Sequence, residues 1–458
     1  MNFQRVLPDS RSTEVAGPPD SAESAESAES TRATNPAAPA EPQDAPREPG
    51  RRLEARVDLA AIRSNIRRMR EVAGPAEVMA VVKADAYGHG MVQCARAAVQ
   101  AGAAWLGCAL PEEALALRSA GLTVPILTWL HAPGDPFADL VAAGVDVSIS
   151  GSWALREVTD AVRATGRPAR IQLKADTGLG RNGVQPQDWP SVVAQALAAQ
   201  AEGLVTVTGI WSHFACADEP GHPSNAEQLA AFTAALDAAA AAGLRPPLRH
   251  MANSPATLLL PQSHFDLVRC GVSTYGVSPA PDQGSAADFG LRPAMSLVGR
   301  LASVKQVPAG HGVSYGHTYR TPAASRLGLV PAGYADGIPR AASDTGPVWI
   351  DGRRHTVAGR VAMDQFVVDL GDQEASAGDE VVLFGPGDRG EPTAQDWAEA
   401  TGTIAYEVIT RIGPRVPRVY LNAEPDPARP DAVRPAADPS AGPRSGAAGP
   451  GIVRRGAA

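Results

Sequence analysis

The sequence predicts an α/β chain: a (β/α)8 TIM-type barrel followed by a second, mostly β C-terminal domain. Three observations predict it. Between Val57 and about Tyr275, short apolar runs alternate with Ala/Leu-rich stretches of helical period. Eight such runs can be counted, which is the number that closes a parallel barrel. After about residue 291 the pattern turns β-rich, with Gly, Pro and Asp at the turns. An open doubly wound sheet is the alternative for the first part.

In chain order, residues 1–50 carry SAESAESAES, much Pro and Ala, nine acids and four bases, and almost no large apolar residue. They cannot bury enough apolar surface to offset chain entropy and are expected to be disordered, as are the Pro/Ala/Gly-rich residues 424–458. Residues 51–290 are then the barrel and 291–423 the β domain. Asp58 is placed to cap a helix bearing Leu59, Ile62, Ile66 and Met69. The eight strands are expected at 78–82, 104–109, 124–129, 145–149, 169–174, 204–211, 247–251 and 265–269. Stretches such as EEALALRSAG, SWALREVTDAVRATG and EQLAAFTAALDAAAAAG supply the helices between them. The β domain is expected from LVGRLASVKQV, RLGLVPA, PVWIDG, HTVAGRVAMDQFVVDL and DEVVLFG.

Net charge is −8, and the part between the tails is nearly neutral, which argues against nucleic acid or an anionic membrane as partner. No run of 18 apolar residues is free of charged or turn residues, and the opening MNFQRVLPDSR lacks the apolar core of a secretory signal. A cytoplasmic protein is expected. Cys94, Cys108, Cys216 and Cys270 are too scattered for a zinc pattern; they are expected to be reduced, and no metal is expected.

Only three of the 41 basic residues are lysine: Lys83, Lys174 and Lys305. Lysine can form a Schiff base or a carbamate, whereas arginine cannot, so lysines that survive such a bias are candidates for amine chemistry. Chance survival is the plain alternative. Active sites of these barrels collect at the C-terminal ends of the strands. The first strand ends in VVKADAYGHG and the fifth in KADTGLGRNG, which places Lys83 and Lys174 on one rim. His213 follows the sixth strand, HMANS ends the seventh, and VRCGVSTYG ends the eighth. The last two supply Ser254 and the Gly271-Val272 backbone, where barrels often bind phosphate. A lysine amine facing a phosphate cradle suggests pyridoxal phosphate. Gly178-Leu-Gly180-Arg-Asn-Gly183 matches a dinucleotide fingerprint, but it follows the fifth strand and Pro186 comes soon after, so that reading is set aside.

Taken in order, VVKADAYGHG, KADTGLGRNG, SHFACADE, HMANS, FDLVRCG, GVSYGHTY (312–319), GYADG (333–337), GRVAMDQ (359–365) and RVPRVY (415–420) resemble the bacterial alanine racemases over roughly residues 52–421. The resemblance implies interconversion of L- and D-alanine, which supplies D-alanine for peptidoglycan, by a cytoplasmic homodimer with shared active sites. It implies that Lys83 holds pyridoxal 5'-phosphate through its amine. Tyr87, Ser254, Gly271, Val272 and Tyr406 would surround the phosphate, His213 would pack on the ring and Arg269 would face its nitrogen. Tyr315 matches the second catalytic base, supplied by the neighbouring subunit. Arg181 and Met363 match the substrate-carboxylate residues, and Lys174 matches a carbamylated lysine that orients Arg181.

The chemistry asks for such a set. An alanine Cα–H is too weak an acid for any side chain unaided, and racemisation needs one base on each face of the flattened centre. The guanidinium of Arg269 does not give up a proton, which suppresses transamination. Two departures stand out: Cys270 replaces the usual Pro, which would make the site thiol-reactive, and Ala362 replaces a frequent Cys.

Plain alternatives remain at this level. Lys83 could be a surface cation, His213 a buried histidine and Tyr315 a packing residue. Tyr334 either lines the substrate entrance or caps a turn, and Asp364 is either a structural acceptor or a catalytic group. Lys305 is expected on the surface. Competing functions are a basic amino-acid decarboxylase or broader racemase on the same scaffold, a barrel that manages free cofactor, and a cofactor-free sugar-phosphate enzyme. Arg269, in place of an acid, argues against the decarboxylase; the β domain with GVSYGHTY argues against the cofactor-managing barrel.

Overall fold

The computed structural model describes residues 51–424; the tails expected to be disordered lie outside the described residues, apart from Glu424. Within that span all eight apolar runs become parallel strands. They are β2 (Glu77–Val81), β3 (Trp105–Cys108), β4 (Ile126–Thr128), β5 (Asp146–Ile149), β6 (Ala169–Lys174), β7 (Val205–Trp211), β8 (Leu248–His250) and β9 (Leu267–Cys270). Their order is β8-β7-β6-β5-β4-β3-β2-β9. The ring closes between β8 and β9, where Asp266 N–H donates to Arg249 C=O at 3.0 Å and Arg269 N–H to Ala252 C=O at 2.9 Å. The chain is therefore a barrel and not an open sheet.

The strand that precedes them, β1 (Leu53–Asp58), belongs elsewhere. It alternates buried and half-buried residues, as a strand covered on one face does. It lies between β10 (Met295–Arg300) and β19 (Arg418–Leu421), antiparallel to the first and parallel to the second. The start of the segment expected to be barrel is thus built into the β domain. Asp58 ends β1 and accepts from Ala60 N–H at 2.9 Å, which caps the helix Leu59–Ala73; Ile62, Ile66 and Met69 are fully buried along it.

The C-terminal region continues with β11 (Ser303–Val307), β12 (Gly312–Val313), β13 (Tyr319–Arg320), β14 (Ser325–Val330), β15 (Pro347–Ile350), β16 (Arg353–Thr356), β17 (Phe366–Gly371) and β18 (Glu380–Phe384). A six-stranded sheet of order β16-β15-β18-β10-β1-β19 accompanies the three-stranded β11-β14-β17 and the β12-β13 hairpin. One large apolar core runs from the barrel strands and helices into this sheet, while Met79, Trp105, Leu127, Trp211 and Leu267 form a separate cluster. No helix among the described residues is long and apolar enough to cross a membrane.

Candidate active site

The rim of the barrel collects the side chains that strand ends were expected to place there. Lys83 follows β2, with its Nζ 5.9 Å from the centroid of the Tyr87 ring. Lys174 ends β6, and His213 stands two residues beyond β7. Ser254 opens the helix Ser254–Leu259 after β8. Arg269 lies in β9, and Gly271 and Val272 begin the turn that follows. Tyr406 comes from the C-terminal region, its ring 6.3 Å from that of Tyr87, which in turn is 4.9 Å from Tyr275.

At one side of this rim, hydroxyls and amides gather. Ser254 Oγ accepts from Gly271 N–H at 2.9 Å and more distantly from Ser273 N–H at 3.4 Å. Tyr275 Oη donates to Val81 C=O at 2.8 Å and ties the turn to β2. A Cβ on Gly271 would lie 2.5 Å from Tyr87 Oη, so only glycine lets that phenol approach the turn. Ser273 Oγ is buried and has no hydrogen-bond partner among the described residues. A turn of backbone amides ringed by hydroxyls has the donors an anion such as a phosphate monoester requires.

Arg269 is 4% exposed and, among the described residues, has no carboxylate against it. It donates to Ser212 C=O at 2.7 Å, Met251 C=O at 2.9 Å and His250 Nδ1 at 2.9 Å, and lies 3.2 Å from His213 Nδ1. Behind it runs a line of buried groups that the sequence did not single out. Gln172 Nε2 donates to Asp146 Oδ2 at 3.2 Å, which turns the amide oxygen toward His250 Nε2, 2.7 Å away. His250 therefore carries its proton on Nε2 and presents a bare Nδ1 to Arg269. Burial first, and then Arg269, holds both His250 and His213 well below the ordinary histidine range, so both are neutral. Trp211 stacks on His250 with ring planes 1° apart, and its face carries Lys174 Nζ at 4.4 Å and the Arg269 guanidinium at 4.7 Å. One signal could have found this line: Asp146 and Gln172 are each flanked by apolar residues within the strand runs VDVSI and ARIQLK.

The two rim amines are both made easier to deprotonate. Burial, and then the nearby Arg181, lowers Lys83, while Glu113 works the other way. Lys174 falls to about 7, through burial first and then Arg269 and Arg181. Arg181 itself is exposed, in the loop 178–183 whose three glycines have positive φ. No helix opens at that loop; the next is Trp189–Ala201. Cys270 corrects an expectation. It is fully buried, and burial pushes its thiol up to about 12, so it is a packing residue and not a reactive one.

Tyr315, Met363 and Tyr334 are not enclosed with the rest. They are 70%, 53% and 42% exposed, and none makes a side-chain hydrogen bond among the described residues. Tyr315 begins a short 3-10 turn, after Ser314 at φ 57°. Tyr334 and Met363 sit on paired loops: Tyr334 N–H donates to Ala362 C=O at 3.1 Å and Ala335 N–H to Met363 C=O at 3.0 Å. The loops are anchored by the fully buried Asp336, which accepts from Arg52 at 2.7 Å and Gly333 N–H at 3.0 Å. Arg415 pairs with Asp336 at 3.3 Å and with Asp364 at 2.7 Å, so Asp364 is an ion-pair partner here. Lys305 is exposed on β11.

Comparison with known proteins finds relatives along both parts of the chain. Residues 57–279 match the family model described as alanine racemase, N-terminal domain, and residues 294–420 match that of the C-terminal domain. An alanine racemase of Streptomyces coelicolor is 64% identical over 376 residues, covering 81% of this chain and 96% of that protein. One of Frankia casuarinae is 58% identical over 365 residues, covering 80% and 95%. The crystal structure of alanine racemase from D-cycloserine-producing Streptomyces lavendulae is similar at a TM-score of 0.81 and 62% identity, covering 82% of this chain and 98% of that one. An alanine racemase of Clostridium difficile 630 remains similar, with a TM-score of 0.77 at 32% identity over 82% and 98%.

Proposed function

The chain belongs to the alanine racemase family, and from that premise we propose how its residues interconvert L- and D-alanine and which groups they need to do so. Pyridoxal 5'-phosphate is the cofactor. Tyr87, Ser254, Gly271, Val272 and Tyr406 would hold its phosphate, Lys83 its aldehyde carbon in the resting protein, and His213 and Arg269 its ring. The hydroxyl-and-amide turn with its unpartnered Ser273 hydroxyl, set near a lysine of lowered basicity, supports this fit. When bound, the cofactor supplies a sink for the electron pair left on Cα.

The proton traffic belongs to the chain. Lys83 Nζ moves the proton on the face it shares with D-alanine, and Tyr315 Oη moves it on the face from which L-alanine loses it. Arg269 stays the cation because lone pairs of two carbonyls and of His250 surround it, so it donates a hydrogen bond without transferring a proton. Arg181 and Met363 hold the substrate carboxylate. Lys174, with its basicity lowered, takes up carbon dioxide and releases a proton to solvent, and the carbamate's negative charge orients Arg181. Tyr334 lines the entrance. The exposure of Tyr315, Met363 and Tyr334 supports a homodimer in which each chain completes its partner's site. The D-alanine formed enters peptidoglycan.

The observation that carries this reading is a lysine and a buried arginine, with no acid beside the arginine, on one barrel rim. Lys83→Arg keeps the charge but cannot bond the cofactor, so the visible absorbance of lysine-bound cofactor should vanish. Incubation with L-alanine and with L-serine, followed by chiral chromatography, should then give no D-product. Racemisation of alanine at the wild-type rate by Lys83→Arg would overturn the assignment.

A further inference from the structure

The residues immediately after Lys83 adopt a backbone that L-amino acids avoid. Ala84, Asp85, Ala86 and Tyr87 hold φ between 52° and 56°, four in a row without a glycine. Left-handed residues normally occur singly, because Cβ crowds the next carbonyl, and a run of them persists only where its surroundings over-determine it. Some of the restraint is internal: Ala86 N–H donates to Val82 C=O at 2.9 Å and Gly88 N–H to Ala84 C=O at 3.0 Å. Asp85 Oδ1 accepts from Met91 N–H at 2.8 Å. At the far end, Gly88 is packed so closely that a Cβ there would lie 2.4 Å from Ile409 C=O.

The near end is held from another strand. Glu113, in the first turn of the helix Pro111–Ser119, accepts from Ala84 N–H on Oε1 at 2.6 Å. Its Oε2 accepts from Ala109 N–H at 2.9 Å and Leu110 N–H at 3.1 Å. One carboxylate thus satisfies three main-chain donors, and it joins the end of β2 to the end of β3. Among the described residues, no other side chain bonds Ala84 N–H. The charged groups that act on Lys83 are Arg181 and Glu113 itself, so Glu113 is also the acid that offsets Arg181 there.

We propose that Glu113 is a positioning residue, whose carboxylate locks the left-handed turn and thereby aims Lys83 at the reacting carbon. The inference rests on the reading of Lys83 as the base that serves D-alanine.

The test uses the full-length holoenzyme with Glu113→Gln and Glu113→Ala. Hydrogen–deuterium exchange of the peptide 83–90 reads the turn directly, and single-turnover loss of the α-hydrogen in deuterated water, started from each enantiomer, reads the aim. A glutamine offers one acceptor oxygen where the carboxylate offers two, so one side of the clamp opens. Exchange within 83–90 should quicken at least tenfold in Glu113→Ala and by less in Glu113→Gln. α-Hydrogen loss should fall at least tenfold more from D-alanine than from L-alanine, in the same rank order. A general packing defect would slow both enantiomers alike and overturn the proposal, as would wild-type protection of 83–90 in both variants. If Glu113→Ala does not fold, the comparison is read from Glu113→Gln alone. Absence of α-hydrogen exchange in the wild type would instead refute the underlying reading, leaving the deuterium protection to report on the clamp by itself.

Discussion

Lys174 and Tyr315 illustrate opposite ways of preparing a side chain. Lys174 is nine-tenths and more buried, and its surroundings bring its amine to about 7, so it is neutral above that pH and protonated below. Only the neutral amine has the lone pair that attacks carbon dioxide. With 13C-bicarbonate, a carbamate carbon signal should be present at pH 8, decline as pH falls through about 7, and be missing from Lys174→Arg at every pH. Tyr315 is 70% exposed, which suits its proposed role of completing a neighbouring chain's site. Tyr315→Ala should slow α-hydrogen loss from L-alanine by ~10²–10⁴, the usual cost of a lost acid or base, and from D-alanine far less. Exchange into deuterated water from each enantiomer separates the two; equal losses would contradict the assignment of faces.

Among the elements, the glycine after the Val272–Tyr275 turn separates two kinds of glycine. Gly276 has φ 74°, and a Cβ there would lie 1.7 Å from Arg292 C=O. Gly166, which ends the helix Ser152–Thr165, has φ 68° with nothing within 4 Å. The left-handed conformation alone costs ~1–2 kcal/mol for an alanine, and a clash with main chain cannot be relieved by rotating a side chain. Gly276→Ala should therefore lose well over ~2 kcal/mol in chemical denaturation, beyond the cost of Gly166→Ala. The eight barrel strands were legible because apolar runs and helical stretches alternate, and the rim lysines because strand ends predict the site. The turn at Ala84–Tyr87 was not, since four non-glycine residues give no local signal of positive φ. Glu113 was hidden for a related reason: an acid in a helix's first turn is ordinary by itself, and its reach to Ala84 depends on how β2 and β3 pair.

For the whole molecule, the proposed sharing of Tyr315 between two chains makes a quantitative demand on assembly. Inactive Lys83→Ala and Tyr315→Ala chains, co-expressed with different affinity tags and isolated as mixed dimers, should regain activity. Each mixed dimer holds one site with both bases and one with neither, so turnover should approach half that of the wild-type dimer. Failure in demonstrated mixed dimers would mean that Tyr315 acts within its own chain or not at all.

The first strand sets a clock on this chain's birth. Ala55 in β1 lies opposite Leu297 and Arg418, 242 and 363 residues further along. At about 5–20 residues per second, roughly 20–70 s pass between the synthesis of Ala55 and that of its last neighbour. The barrel's eight strands emerge well within that interval and can pair as they leave the ribosome, while β1 waits with both its edges open. An unpaired edge is a template for other chains. The alternating Arg, Glu and Asp of LEARVD charge one face of the waiting strand, which suits a segment that must stay unaggregated until β19 has been made.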